Sequence, residues 1–245
     1  MTVKPAMETE VSEREAPPRL SRAARAYLAA SLFVVGSCAS TPPQVAEPPL
    51  DAGQLASAAS RASSLDSPYR LVFSWTYNEP GTRIGGRGVA RIEPPYRARL
   101  DLFLSNGELA AAASVEGDNF RVKAERQAEL PPPALLWGTL GIFRPGELSR
   151  LRGGRWESSG VVELRYFSTM GGDLIYSLRG NRVERVELLQ GERVNEELRL
   201  VRVDGERFPR EATYRHLGEV RELRITLEEV ENVETYPSDI WDLGL

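Results

Sequence analysis

The chain has 245 residues, 31 basic and 35 acidic side chains and a formal net charge of −4. That balance gives no general attraction for nucleic acid or anionic lipid, and a single cysteine excludes an internal disulfide. The length suits one large β domain or two small ones, and no break in composition divides the region after Ser67, so one domain is expected.

From the N-terminus, a polar stub of about twenty residues leads to Arg22 and Arg25, then to the run LAASLFVVGSC at residues 28–38. Basic residues, an apolar stretch of about ten and a small-residue end form the plan of a secretory signal, too short for a stable bilayer-spanning helix. An ordinary helix with a free or buried thiol is the competing reading. The order of charge, apolar run, small residues, cysteine and proline-rich tether favours the signal. Val35, Gly36, Ser37 and Cys38 resemble the bacterial lipobox, whose cysteine receives a diacylglyceryl group before the peptidase cuts ahead of it. The resemblance implies removal of residues 1–37 and an acyl anchor on Cys38, each buried methylene contributing about 0.8 kcal/mol of membrane affinity. Ala39 stands where the inner-membrane retention signal has aspartate, so the expected location is the periplasmic face of the outer membrane. Cleavage leaves 208 residues with 26 basic and 31 acidic side chains.

Residues 38–51 then read as the lipidated cysteine and an extended, proline-rich tether, and residues 52–245 as the folded domain. Leu55, Ala58, Ala59, Ala62 and Leu65 recur at helical spacing, predicting a short helix over 54–65 with a small-residue face. Beyond it, period-two alternation dominates. Residues 69–78 set Leu71, Phe73, Trp75 and Tyr77 on one face, and a turn at 78–81 with the glycines of GTRIGGRG opens a hairpin into a strand at 88–93. Residues 96–105 alternate again through Leu100, Leu102 and Leu104, Asn106-Gly107 makes the next hairpin, and strands follow at 109–115 and 120–124. Pro131-Pro132-Pro133 interrupts the meander; residues 134–142 and then 145–148 read as helical and apolar. Strands resume after Trp156, at 161–167, 174–178, 182–189, 197–203, 211–216 and 220–230. A chain of about ten antiparallel strands must close, or curl around something, to protect its edges.

The segment GRGVARIEPPYRARLDLFLSNGELAAAASVEGDNFRV, through Gly88, Pro94, Pro95, Arg97, Arg99, Leu100, Gly107, Gly117 and Asp118, resembles the early meander of the LolA/LolB superfamily of bacterial lipoprotein carriers. The resemblance implies an α+β, mainly β fold: a strongly curved, unclosed antiparallel half-barrel of about ten strands with short helices as lid or plug over an apolar cavity. It implies a non-enzymatic monomer with no cofactor beyond the covalent lipid on Cys38. The expected partners are the membrane, lipid or acylated lipoprotein cargo, and a soluble periplasmic carrier. The residues expected around the cavity are Phe73, Trp75, Leu100, Leu102, Leu104, Phe120, Leu136, Trp137 and Tyr166, with Leu136 and Trp137 on a movable lid.

Catalysis has little support in the sequence. His216, the only histidine, falls where a late strand meets a glycine turn, which suits an edge role better than a general base. No zinc-ligand spacing and no nucleophile elbow occur. Gly85-Gly86-Arg87-Gly88 lacks the Lys-Ser/Thr ending of a phosphate loop and reads as hairpin glycines. The acidic stretch 228–239 lacks the regular oxygen-ligand spacing of a calcium loop and reads as a solvated strand end. Two functions remain: an envelope lipoprotein that holds lipid or lipoprotein acyl chains, and a non-catalytic docking lipoprotein whose core is filled by its own side chains. They differ in cavity volume.

Overall fold

The computed structural model of the protein describes residues 50–124, 130–157, 160–168 and 171–244. The expected signal, Cys38 and nearly all of the tether lie outside the described residues. Helix α1 (Ala52–Ser63) begins where the Asp51 carboxylate accepts a hydrogen bond of 2.9 Å from the Gln54 amide, satisfying one of the donors that a helix start leaves free. Two antiparallel meanders follow. The first holds β1 (Tyr69–Glu79), β2 (Thr82–Glu93), β3 (Arg97–Leu104), β4 (Leu109–Glu116) and β5 (Asn119–Ala124). After helix α2 (Pro133–Thr139) the second holds β6 (Arg150–Trp156), β7 (Val161–Phe167), β8 (Asp173–Arg179), β9 (Arg182–Gln190), β10 (Arg193–Val201), β11 (Glu211–His216) and β12 (Arg221–Asn232).

All twelve strands form one sheet in the order β5-β4-β3-β2-β1-β12-β11-β10-β9-β8-β7-β6. The first and last strands, β1 and β12, pair along ten positions and join the two meanders. Strands β5 and β6, joined through α2, are the two opposite edges, so the sheet is not closed. It is nevertheless wound tightly. Gly138 of α2 approaches Val186 of β9 and Leu198 of β10, while Trp137 reaches the turn between β4 and β5. Strands six places apart in the sheet thus meet one seven-residue helix. Flat, at about 4.8 Å per strand, the same sheet would hold them about 30 Å apart.

Alternation sorts the side chains. Leu71, Phe73, Trp75 and Tyr77 of β1, Ala98, Leu100 and Leu102 of β3, and Leu174, Tyr176 and Leu178 of β8 all turn to the concave core. Extra residues in β12 (Glu228), β4 (Ala110), β6 (Arg152), β9 (Glu184) and β10 (Asn195) shift the register and supply local bends. On the convex side the carboxylate of Asp101, 2% exposed, takes Arg91 at 2.5 Å and Arg99 at 2.9 Å. Arg99 also donates to the carbonyls of Ile240 (2.6 Å) and Asp242 (3.0 Å), which fastens the C-terminal 3-10 turn Ser238–Trp241 over this part of the sheet. Ala112 and Ser114, both buried, are small enough to admit that cover.

The structure corrects the sequence reading in four places. The described residues form twelve strands, because Arg150–Trp156 pairs with β7 despite having no apolar face. Residues 145–148 are not helical, and α2 ends at Thr139. Strand β10 starts at Arg193 and stops at Val201, and residues 202–210 form a connection instead. Gly85, Gly86 and Gly88 are not turn glycines: β2 begins at Thr82, and all three lie inside it opposite β1. Gly88 leaves room for a ring, whereas a Cβ on Gly85 would lie 2.7 Å from the Trp75 carbonyl oxygen and one on Gly86 would collide with the Phe103 carbonyl oxygen of β3. The indole Nε1 of Trp75 donates to the carbonyls of Arg87 and Phe103, both at 3.1 Å, so the ring crosses β2 and reaches β3. A Cβ on Gly88 would lie 2.3 Å from the Phe73 ring and 3.0 Å from the Asp101 carbonyl. Gly88→Ala therefore forces the ring or the β2–β3 ladder to shift, and should lower the unfolding free energy by about 1–3 kcal/mol in urea titration.

Candidate functional site

The concave face is an apolar trough that α2 fills. Pro132 and Pro133 set the start of the helix, where an absent N–H costs no hydrogen bond, and Leu135, Leu136 and Trp137 are all at most 2% exposed. Trp137 donates from Nε1 to the Gly117 carbonyl at 3.2 Å and meets the Tyr96 ring edge-on at 6.1 Å. Gly138 approaches Leu198 so closely that a Cβ would lie 2.7 Å from its methyl, so a larger residue here would force the Leu198 side chain or the helix to shift.

The segment after α2 is held by polar bonds inside an aromatic cluster. The Tyr176 hydroxyl donates to the Arg144 carbonyl at 2.8 Å, and Phe143 stacks on Tyr176 at 4.7 Å and on Tyr166 at 6.1 Å. The Arg144 guanidinium lies 4.0 Å from the Tyr96 ring centre and pairs with Glu147 at 2.9 Å. Burial pushes the Tyr166 phenol up to about 12, and raises Tyr176 further still because it is fully enclosed.

Of the nine residues expected around a cavity, Phe73, Trp75, Leu100, Leu102, Leu136, Trp137 and Tyr166 belong to this one buried cluster; Leu104 and Phe120 are half-buried at its margin. The void between the sheet and the end of α2, lined by Leu71, Phe73, Leu100, Thr139, Leu140 and Phe208 among others, measures about 20 Å³. Leu136 and Trp137 are buried within the core. The sequence reading missed Tyr176, Phe143 and Phe208. Tyr176 stands in period two with Leu174 and Leu178 and could have been found that way, whereas Phe143 and Phe208 lie outside the strands and carry no periodic signal.

His216 accepts a hydrogen bond at Nδ1 from the Glu219 amide at 3.2 Å, which shapes the β11–β12 turn. Within the acidic stretch, Glu228 pairs with Arg87 at 2.6 Å and Glu231 with Arg70 at 3.0 Å. Among the described residues no three His, Cys, Asp or Glu side chains converge as a metal site, and no helix is long and apolar enough to cross a membrane.

A single antiparallel sheet curled around a short apolar helix, with its two edges left apart, defines an architectural class. The LolA superfamily protein NE2245 from Nitrosomonas europaea is similar in structure, with a TM-score of 0.53 and 10% identity over 80% of this chain and 99% of that one. A putative outer membrane lipoprotein-sorting protein domain from Vibrio parahaemolyticus aligns with a TM-score of 0.49 and 9% identity, over 79% of this chain and 98% of that one. No protein-family model matches the sequence, and no curated protein matches it. The chain has the fold of the LolA superfamily.

The phenol of Tyr166 supplies a test of the packing. Unfolded, a tyrosine releases its proton near pH 10; folded, Tyr166 keeps it to about 12, so its contribution to stability is complete below 10 and is lost as pH rises through that window. Urea midpoints followed from pH 9 to pH 12 should therefore fall less steeply for Tyr166→Phe than for the unaltered protein.

Proposed function

We propose that this protein is an outer-membrane lipoprotein, anchored through Cys38, that holds the acyl chains of a lipid or of a lipoprotein on its concave face in the place that α2 fills when no ligand is bound. The observation that carries the reading is the separateness of the filler. The trough is occupied by a seven-residue helix between prolines and Gly141, not by side chains of the sheet itself. Moving α2 aside exposes a ready-made apolar groove, and returning it protects that groove from water. The fold shared with a LolA superfamily protein supports the same reading.

The work would be binding and exchange, with no bond made or broken. Acyl chains gain about 0.8 kcal/mol per buried methylene, while α2 in its seat contributes the burial of two leucines and a tryptophan. The two occupants are therefore of comparable worth, a condition for loading and release. A soluble periplasmic carrier is the partner proposed to deliver the cargo.

A second reading is favoured by the residual void of about 20 Å³: a docking lipoprotein whose core is permanently self-filled. Hydrogen exchange of the full chain with and without dodecanoic acid separates the two. For an acyl binder, dodecanoic acid should bind and the amides of residues 133–143 should lose protection while those of β1 and β12 keep theirs. No binding and no change at α2 would leave the docking reading.

The plug can also be trimmed. Leu135→Ala should cost about 2–5 kcal/mol of stability in urea and, on the acyl-binding reading, should increase dodecanoic acid uptake, since the space it vacates is apolar.

A further inference from the structure

Beside the end of α2, the β8–β9 turn and the connection from β10 to β11 bring together three arginines, Arg182, Arg202 and Arg207. With Leu65, Leu140 and Phe208 they line a pocket of about 240 Å³. All three guanidinium groups are held by backbone carbonyls. Arg202 donates to Val183 at 3.0 Å, to Arg207 at 3.2 Å and to Gly141 at 3.3 Å. Arg182 donates to the Glu206 carbonyl at 2.8 Å, and Arg207 to that of Ser64. Gly141, at φ +76°, makes the arrangement possible, because a Cβ there would lie 2.6 Å from Nη2 of Arg202.

Carbonyls orient a guanidinium without neutralising it. Among the described residues none of the three arginines has an ion pair; the nearby Glu184 is engaged by Arg179. On the convex face the rule is the opposite: Arg91, Arg155, Arg165 and Arg199 each sit on a carboxylate. Three like charges have been gathered with donors to spare, since each guanidinium carries five N–H groups and even Arg202 uses three. Burial first, and then the neighbouring charge of Arg182, bring Arg202 down to about 10 against a smaller opposing pull from Glu184.

We propose that Arg182, Arg202 and Arg207 form a binding site for a phosphate group at the rim of the trough. Planar guanidinium forks match phosphate oxygens in pairs, and a volume of about 240 Å³ suits a head group, not a whole lipid. Leu140 and Phe208 line both this pocket and the small apolar void under α2, so a phosphate seated on the arginines has its attached chain at the entrance to the trough. The arginine site stands by itself; its assignment to a phospholipid head group rests on the acyl-binding reading above.

Calorimetric titration of the full chain with dihexanoylphosphatidic acid, monolauroylglycerol and inorganic phosphate tests both parts. Arg182→Gln is the main variant, because Arg182 is exposed and gives up one hydrogen bond; Arg202→Gln is the second, with urea midpoints recorded for each. The phosphatidic acid should bind more tightly than uncharged monolauroylglycerol, and Arg182→Gln should weaken it about tenfold while leaving monolauroylglycerol unchanged. Equal binding of phosphatidic acid by the unaltered protein and a folded Arg182→Gln would overturn the arginine site and leave the acyl reading standing. Arginine-dependent binding of inorganic phosphate with no binding of either lipid would keep the anion site, assign it to a free phosphate and sink the acyl reading. No binding of any of the three would remove both.

Discussion

The structure depends on one steric requirement: an open sheet of twelve strands must hide one whole face without a second sheet to lie against. A flat sheet with a face of Leu, Phe, Trp and Tyr side chains would leave it wet, at a cost of about 25 cal/mol for every Å² exposed. Curling shortens the distance across that face until a single turn or two of helix can span it, and α2 is that helix. Trp137 binds the β4–β5 turn on one arm while Gly138 sits against β9 and β10 on the other. Gly88 of β2 follows from the same requirement, for a Cβ there would collide with the Phe73 ring on the concave face. So does the C-terminal 3-10 turn, which covers the far side of β3 and β4, where Asp101 would otherwise hold two guanidinium groups against open water.

Most of the fold was legible in the sequence because nearly every strand has one wet and one dry face. Period two writes itself plainly into RLVFSWTYN and RARLDLFL, and β7 and β11 fall at the expected residues. Strand β6 was not legible, since RLRGGRW is an edge strand with no period-two apolar face, covered by α1 and by Leu50 lying over Gly154. The glycines of β2 misled for a related reason. A glycine permits a turn but equally permits an aromatic ring to lie on top of it, and only the partner strand decides between the two.

The site was legible in composition but not in occupancy. Seven of the nine residues expected around a cavity do meet in one cluster, because alternation tells which side chains share a face. Alternation does not tell what lies against that face. Whether a trough is empty or filled depends on where the 131–149 segment goes, and that is decided by contacts with partners distant in sequence, such as Trp137 with Gly117 and Tyr176 with Arg144. The arginine pocket was hidden for the same reason: Arg182, Arg202 and Arg207 belong to a strand start and to an irregular connection, and only the fold sets them side by side.

Among the described residues β5 and β6 each leave one side without a partner strand. An open sheet presents a row of free N–H and C=O groups at each end, and copies of such a protein can add edge to edge into a continuous ribbon. Here β5 carries Arg121 and Lys123, and β6 carries Arg150, Arg152 and Arg155. Strand addition between two copies, whether β5 to β6 or either edge to itself, would bring cation against cation along the new ladder. An acidic protein thus carries basic residues on the two borders where edge-to-edge addition of copies would begin.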